Sequence, residues 1–160
     1  MENRTYLVTE AEKLTGEKAH VLRYWEDELG MEIHRWEEGL AVLSLAIRPE
    51  MLNRSGILHG GVLTTLMDTA GGYAGTYCPV DGNIRKALTL SLTTQFTGQA
   101  RSGIITATAT HRGGGRKSFF ADIAVTEAAG GEISFGSGTW RYRTGHDDPR
   151  GVPLASIEQL

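Results

Sequence analysis

A long stretch of helical period interrupts the strand-patterned run that begins at Met31, and this constrains the fold more than any other feature of the 160 residues. Within "NRSGILHGGVLTTLMDTAGGYAG", Val62, Leu63, Leu66, Met67, Ala70, Tyr73 and Ala74 fall on one wide helical face. The spacing predicts a helix from about His59 to Tyr77. From Met31 the period is two. "MEIHRW" and "LAVLSLAI" flank "EEG" as a strand hairpin, which Pro49 ends. After the loop "CPVDGN" come "ALTLSLTTQF", "GIITATATHR", "KSFFADIAVTE" and "ISFGSGTWRYR", with glycines at 113–115 allowing a tight connection. No parallel strand-helix-strand alternation is present, so a doubly wound fold is disfavoured. The expected class is α+β: an antiparallel sheet wrapped around one long central helix.

Two details of this pattern set expectations for packing. Gly71, Gly72 and Gly75 each cost a helix interior about 1 kcal/mol relative to Ala, so something should pack very closely there, such as a strand or a second copy of the helix. In "ALTLSLTTQF", strict alternation puts Leu88, Leu90, Leu92, Thr94 and Phe96 on one face and Thr89, Ser91, Thr93 and Gln95 on the other.

Composition narrows the class. The net charge is −3 with no strongly basic half, which argues against a general nucleic-acid binder. Cys78 is the single cysteine, so an internal disulfide is impossible and a metal site is not expected. The start "MENRTYLVTE" has no apolar signal core, and no apolar run approaches the roughly 20 residues of a membrane span. A reduced, cytoplasmic setting is expected. The chain divides into a helical segment at 1–29, with helices over "EAEKLTG" and "EKAHVLRYWEDEL", a main domain at 30–143, and a Pro/Gly/Asp-rich loose tail at 144–160.

The combination of "LNRSGILHGGVLTTLMDTAGGYAG", "LTLSLTTQFTGQARSG" and "GGGRKSFFADIAVTEAAGGEI…GTWRYR" resembles the hotdog-fold acyl-CoA thioesterases, in particular the phenylacetate-pathway (PaaI-like) type. The likeness covers roughly Leu29 to Arg143. It implies hydrolysis of a CoA thioester to free acid and CoA by a homo-oligomer, a dimer or a dimer of dimers, with no metal or redox cofactor. Carried over residue by residue, it makes Gly60 the backbone amide that polarises the thioester carbonyl and Asp68 the catalytic carboxylate. Asn53 would place the thioester or the water, and His59 would position or cap. Some members carry a hydroxyl one turn after the carboxylate, where this chain has Gly72. Others carry a Ser at the start of the following strand, where this chain has Thr89.

The residues themselves support this chemistry. Free amides at a helix N-terminus stabilise negative charge, and glycines at 60 and 61 let a substrate carbonyl approach the backbone. Asp68 can serve as base or as nucleophile, and the sequence leaves both open. Eight helical residues span about 12 Å, so Asp68 is too far from an oxyanion at its own helix start, and a carboxylate from a partner's antiparallel helix would be needed. Arg116, Lys117 and Ser118, after the glycine run, are candidate ligands for CoA phosphates.

A second, local resemblance lies at the front. "TYLVTEAEKLTGEKAHVLRYWEDELGMEIHR" is similar to the first half of a MerR-type helix-turn-helix domain, but the basic wing that should follow is replaced by "WEEGLAVLSLAI". The first thirty residues hold more acids than bases, so these helices are expected to cap the sheet or extend the dimer. The rival reading is an acyl-CoA-binding transcriptional regulator. A hotdog dehydratase or hydratase is disfavoured, because His59 is committed to the helix entry.

Overall fold

The structure, a computed structural model, describes residues 29–153. The elements run β1 (Met31–Glu37), β2 (Leu40–Ala46), a 3-10 turn (Pro49–Met51), α1 (Gly60–Thr76), β3 (Asn83–Ile84), β4 (Ala87–Phe96), β5 (Ile104–Gly114), β6 (Ser118–Glu127), β7 (Glu132–Tyr142) and β8 (Val152–Pro153). Six strands form one antiparallel sheet in the order β1-β2-β5-β6-β7-β4. This is the hotdog arrangement: α1 lies across one face of the sheet and touches all six strands. The two helices expected over the front of the chain lie outside the described residues. Of the helix-turn-helix-like stretch, Met31 to Arg35 belong to β1.

The core forms where the helical stripe meets the inner positions of the strands. Leu63, Leu66, Met67, Ala70 and Ala74 are buried against Leu43, Leu45, Ile105, Ala107, Ala121, Ile123 and Val125. Leu66 and Met67 are fully enclosed, and each contributes roughly 1.5–3 kcal/mol by leaving water. Alanines at 41, 107, 109 and 121, all without exposed surface, keep the sheet floor low where the helix crosses. The outer face of the sheet carries the alternate residues, Thr106, Thr108, Phe120 and Phe135 among them.

The glycines of α1 answer to aromatic side chains. A Cβ on Gly71 would lie 2.3 Å from the Trp140 ring, and one on Gly75 would lie 2.1 Å from the Phe119 ring. Those rings, from β7 and β6, stack with centroids 5.6 Å apart. The close neighbour is therefore a pair of strand side chains rather than strand backbone or a second helix. Gly72 points elsewhere, and a Cβ there would meet nothing nearer than 3.7 Å.

β4 departs from strict alternation. Its register with β7 slips between Thr89 and Ser91: Thr89 pairs with Trp140, and Ser91 with Thr139. Leu90 is the extra residue of a β-bulge. Trp140 faces α1, so Thr89 does too, on the same side as Thr94 and Phe96, whose ring reaches Gly60. The predicted separation of Thr89 from Phe96 onto opposite faces is thereby overturned.

Beyond β7, residues 144–153 are attached to the body rather than free. His146 is buried, Arg116 Nε donates to Asp147 at 2.7 Å, and β8 pairs with β3.

Candidate active site

The approach to α1 is a hydrogen-bonded loop. Asn53 N–H donates to Ile57 O at 2.7 Å, and Gly56 N–H to Asn53 O at 2.9 Å. The Asn53 side-chain oxygen accepts from Ser55 N (2.9 Å) and Ile57 N (3.2 Å), an Asx turn. Gly56 has φ +67°, the left-handed region where glycine is free of strain. Arg101, from the β4–β5 connection, clamps this loop by donating to Ser55 O (2.9 Å) and Gly56 O (3.1 Å). With its oxygen spent on the turn, the exposed Asn53 presents its amide nitrogen as a donor.

Among the described residues, the helix N-terminus that follows has one donor without an acceptor. An α-helix begins with four amides lacking intrahelical partners. Here the N-cap is His59, whose Nδ1 accepts from Gly61 N at 2.9 Å. Val62 N and Leu63 N both reach His59 O, at 3.0 and 3.3 Å. Among the described residues nothing accepts from Gly60 N–H. His59 thus caps α1, and its Nδ1 must be the unprotonated nitrogen to accept, which puts the neutral ring's proton on Nε2. Gly61, expected at the substrate, has its amide occupied by that same cap. A Cβ there would lie 3.0 Å from His59 Nδ1, so the cap leaves little room for a side chain.

Two turns along, Asp68 is half-buried on α1 and accepts a hydrogen bond from the Thr89 hydroxyl at 2.7 Å. The helix hydroxyls around it are committed elsewhere. Thr64, Thr65 and Thr69 each donate to the carbonyl four residues back, at 2.9 Å. Thr89, placed by the bulge, is thus the hydroxyl that orients the carboxylate.

Arg116 and Lys117 lie in the β5–β6 turn, and Ser118 opens β6. Arg116 lines a cleft of about 380 Å³ at the other end of α1, together with Tyr77, Arg85, His111 and Asp147. The Asp147 carboxyl lies below its ordinary range, first because Arg116 donates a hydrogen bond to it. The sequence-predicted residues therefore form three groups: Asn53, His59, Gly60 and Gly61 at the helix start, Asp68 with Thr89 mid-helix, and residues 116–118 at the turn. Two contributors at the helix start, Arg101 and Phe96, were not anticipated. The signals available were a basic residue in a turn and an aromatic ending an otherwise Thr-rich strand. Among the described residues, no group of three or more His, Cys, Asp and Glu side chains is arranged to hold a metal, and no helix is long and apolar enough to cross a membrane.

Residues 55–134, half of the chain, match the family model described as "Thioesterase superfamily". The acyl-coenzyme A thioesterase PaaI of Escherichia coli is 35% identical over 98 residues, 61% of this chain and 66% of that protein. The match spans just under two thirds of that relative. The solved structure of the E. coli PaaI protein from the phenylacetic acid degradation operon superposes with a TM-score of 0.67 at 29% identity, covering 78% of this chain and 90% of that one. Thioesterase HI1161 from Haemophilus influenzae gives 0.70 at 22% identity, with 88% and 93% covered.

Proposed function

We propose that this chain, which belongs to the thioesterase superfamily, hydrolyses an acyl-CoA thioester to the free acid and CoA, in a site completed by a second copy of itself. The observation that carries this reading is the vacant amide: of the donors opening α1, Gly61, Val62 and Leu63 have acceptors and Gly60 has none among the described residues. Attack on a thioester carbonyl puts negative charge on its oxygen, and a pre-oriented N–H at a helix start stabilises that charge as it develops.

Asp68 would act on the water or on the carbonyl carbon, with Thr89 fixing the carboxylate. Atoms balance either way. As a base, Asp68 takes a proton from water while hydroxide bonds to carbon, and the CoA thiolate leaves and is protonated. As a nucleophile, it bonds to the carbonyl carbon and expels the CoA thiolate, which is protonated, and water then opens the mixed anhydride to the free acid and the Asp68 carboxylate. The Asn53 amide nitrogen is free to hold the thioester or the water.

The second copy enters through distance. Asp68 lies about 12 Å along the helix axis from Gly60. β4 pairs only with β7 among the described strands, so its other edge is open. Joining two β4 edges antiparallel about their middles brings the Gly60–Phe96 end of one copy to the Asp68–Thr89 end of the other. This supports two identical sites per dimer, related by a two-fold axis. Ser118 and Leu88 both register with Arg141, so the β5–β6 turn lies at the Thr89 end of β4. That position suits Arg116, Lys117 and Ser118 for the phosphates of a CoA whose thioester rests on the other copy's Gly60. A cytoplasmic setting suits the single, buried Cys78 thiol.

Thiol release from a panel of acyl-CoAs, with light scattering on the same sample, tests the reading. Turnover by a dimer or larger assembly is expected. No release from any member of the panel, or full activity in a monomer, overturns it.

A further inference from the structure

Phe96 is the last residue of β4 and faces α1, yet it remains 54% exposed. Its ring points tip-first at Gly60: the Cβ position of that glycine lies 3.1 Å from Cζ and 3.5 Å from each Cε. An aromatic side chain thus rests against the residue that carries the vacant amide, with much of its surface uncovered. The polar groups near this amide lie on the loop side, with His59 on Gly61 and Asn53 in its turn. On the strand side the neighbour is apolar.

We infer that Phe96 is a specificity-determining residue that walls the acyl half of the substrate, an inference resting on the function proposed above. A carbonyl oxygen bonded to Gly60 N–H sits about 2.9 Å from that nitrogen, so the first carbons beyond the carbonyl fall within reach of the ring. One side of the thioester is the CoA arm, with its amides and phosphates; the other is the acyl group. The exposed ring suits the acyl side and selects by burial. Methylene or flat apolar carbons gain contact with it, whereas a carboxylate or hydroxyl on those carbons loses water without a partner. The substrate class is therefore an acyl group apolar in its first few carbons, and charged acyl groups such as succinyl are discriminated against.

The experiment compares butyryl-CoA with succinyl-CoA in the full chain, as wild type, Phe96→Ala and Phe96→Leu, with circular dichroism and light scattering on each. Wild type should prefer butyryl-CoA in kcat/KM. Phe96→Ala should lower that preference about tenfold or more, within the range that a few apolar contacts command, chiefly by slowing the butyryl substrate. Phe96→Leu, which keeps an apolar wall, should retain it within about threefold. A folded Phe96→Ala with unchanged preference, or one that slows both substrates equally, overturns the inference and leaves the thioesterase reading standing. So does a variant that dissociates to monomers, because Phe96 would then belong to the subunit contact. No thiol release by wild type from either substrate or from the wider panel defeats the thioesterase reading, and this inference with it.

Discussion

Replacing Gly60 by Pro removes one hydrogen atom from the proposed chemistry and almost nothing from the fold. Gly60 is the first residue of α1, the helical position where proline is best tolerated, since the missing N–H has no intrahelical partner there. The preceding residue must be extended for proline to follow, and His59 already is, at φ −67° and ψ 132°. The cap survives, because Gly61, Val62 and Leu63 keep their bonds to His59. The added Cβ would press on the tip of the half-exposed Phe96 ring at 3.1 Å. Gly60→Ala carries the same atom while keeping the N–H, and serves as the control. Losing one oxyanion donor costs about 10²–10³ in kcat, or roughly 3–4 kcal/mol, so Gly60→Pro should fall by that factor below Gly60→Ala, with melting temperatures within a few degrees. Continuous thiol release and a thermal melt supply both numbers. The same variant tests the shared site. Mixed and reannealed in equal amounts with Asp68→Asn, it should form heterodimers as about half of all dimers, each with one intact site of two, which restores roughly one quarter of wild-type activity. A Gly60→Pro protein with the kcat of Gly60→Ala refutes the role of the vacant amide. A mixture no more active than its parents refutes the partnership between copies.

Neighbouring glycines in α1 should respond with opposite signs. Gly72→Ala gains about 1 kcal/mol of helix propensity, while Gly71→Ala drives a methyl into the Trp140 ring at 2.3 Å and should lose a net 1–2 kcal/mol or more. Urea unfolding midpoints would separate them, and equal midpoints would contradict the packing. Arg101→Ala frees the carbonyls of Ser55 and Gly56 and should lower kcat/KM about tenfold through a loosened Asn53; Arg101→Lys should restore part of that loss, whereas unchanged kinetics in Arg101→Ala would show that the loop holds itself. The Arg116–Asp147 pair should hold at neutral pH and come apart only in acid. The Asp147 carboxyl is lowered in the folded chain, so the contribution of the pair is present above the ordinary carboxylate range and is lost as pH falls through the depressed value. Amide exchange in residues 144–153 should accelerate over that acid window in wild type and show no such step in Asp147→Asn.

The helix and most strands were legible because burial writes a period into the sequence: α1 runs from Gly60 to Thr76 where the apolar stripe predicts His59 to Tyr77, and the six strands of the sheet follow their alternating runs. The reasons behind the glycines were less legible. Gly71 and Gly75 announce a close neighbour, but which neighbour depends on Trp140 and Phe119, more than forty residues downstream. The bulge was invisible, since Leu90 continues an unbroken alternation and only pairing with β7 reveals the slip. At the helix start, the residue types pointed to an anion-stabilising terminus, and the hydrogen bonds then distinguish Gly60 from Gly61. Arg101 escaped notice because its partners are main-chain carbonyls, which leave no pattern of their own. The tail was read from its Pro, Gly and Asp content, which carries no trace of the pairing of Val152 and Pro153 with β3.

The bulge at Leu90 is a phase marker within β4. Deleting that one residue would join Thr89 directly to Ser91 and leave both halves of β4 paired as before, Thr89 with Trp140 and Ser91 with Thr139, so the Thr89 hydroxyl would stay on the face of α1, beside Asp68. A homologous chain lacking the extra residue would therefore carry its hydroxyl six positions, rather than seven, before the counterpart of Phe96. When such chains are compared, a gap of one residue at position 90 marks a lost bulge rather than a change of face, and the hydroxyl should be sought in the column of Thr89 once that gap is placed.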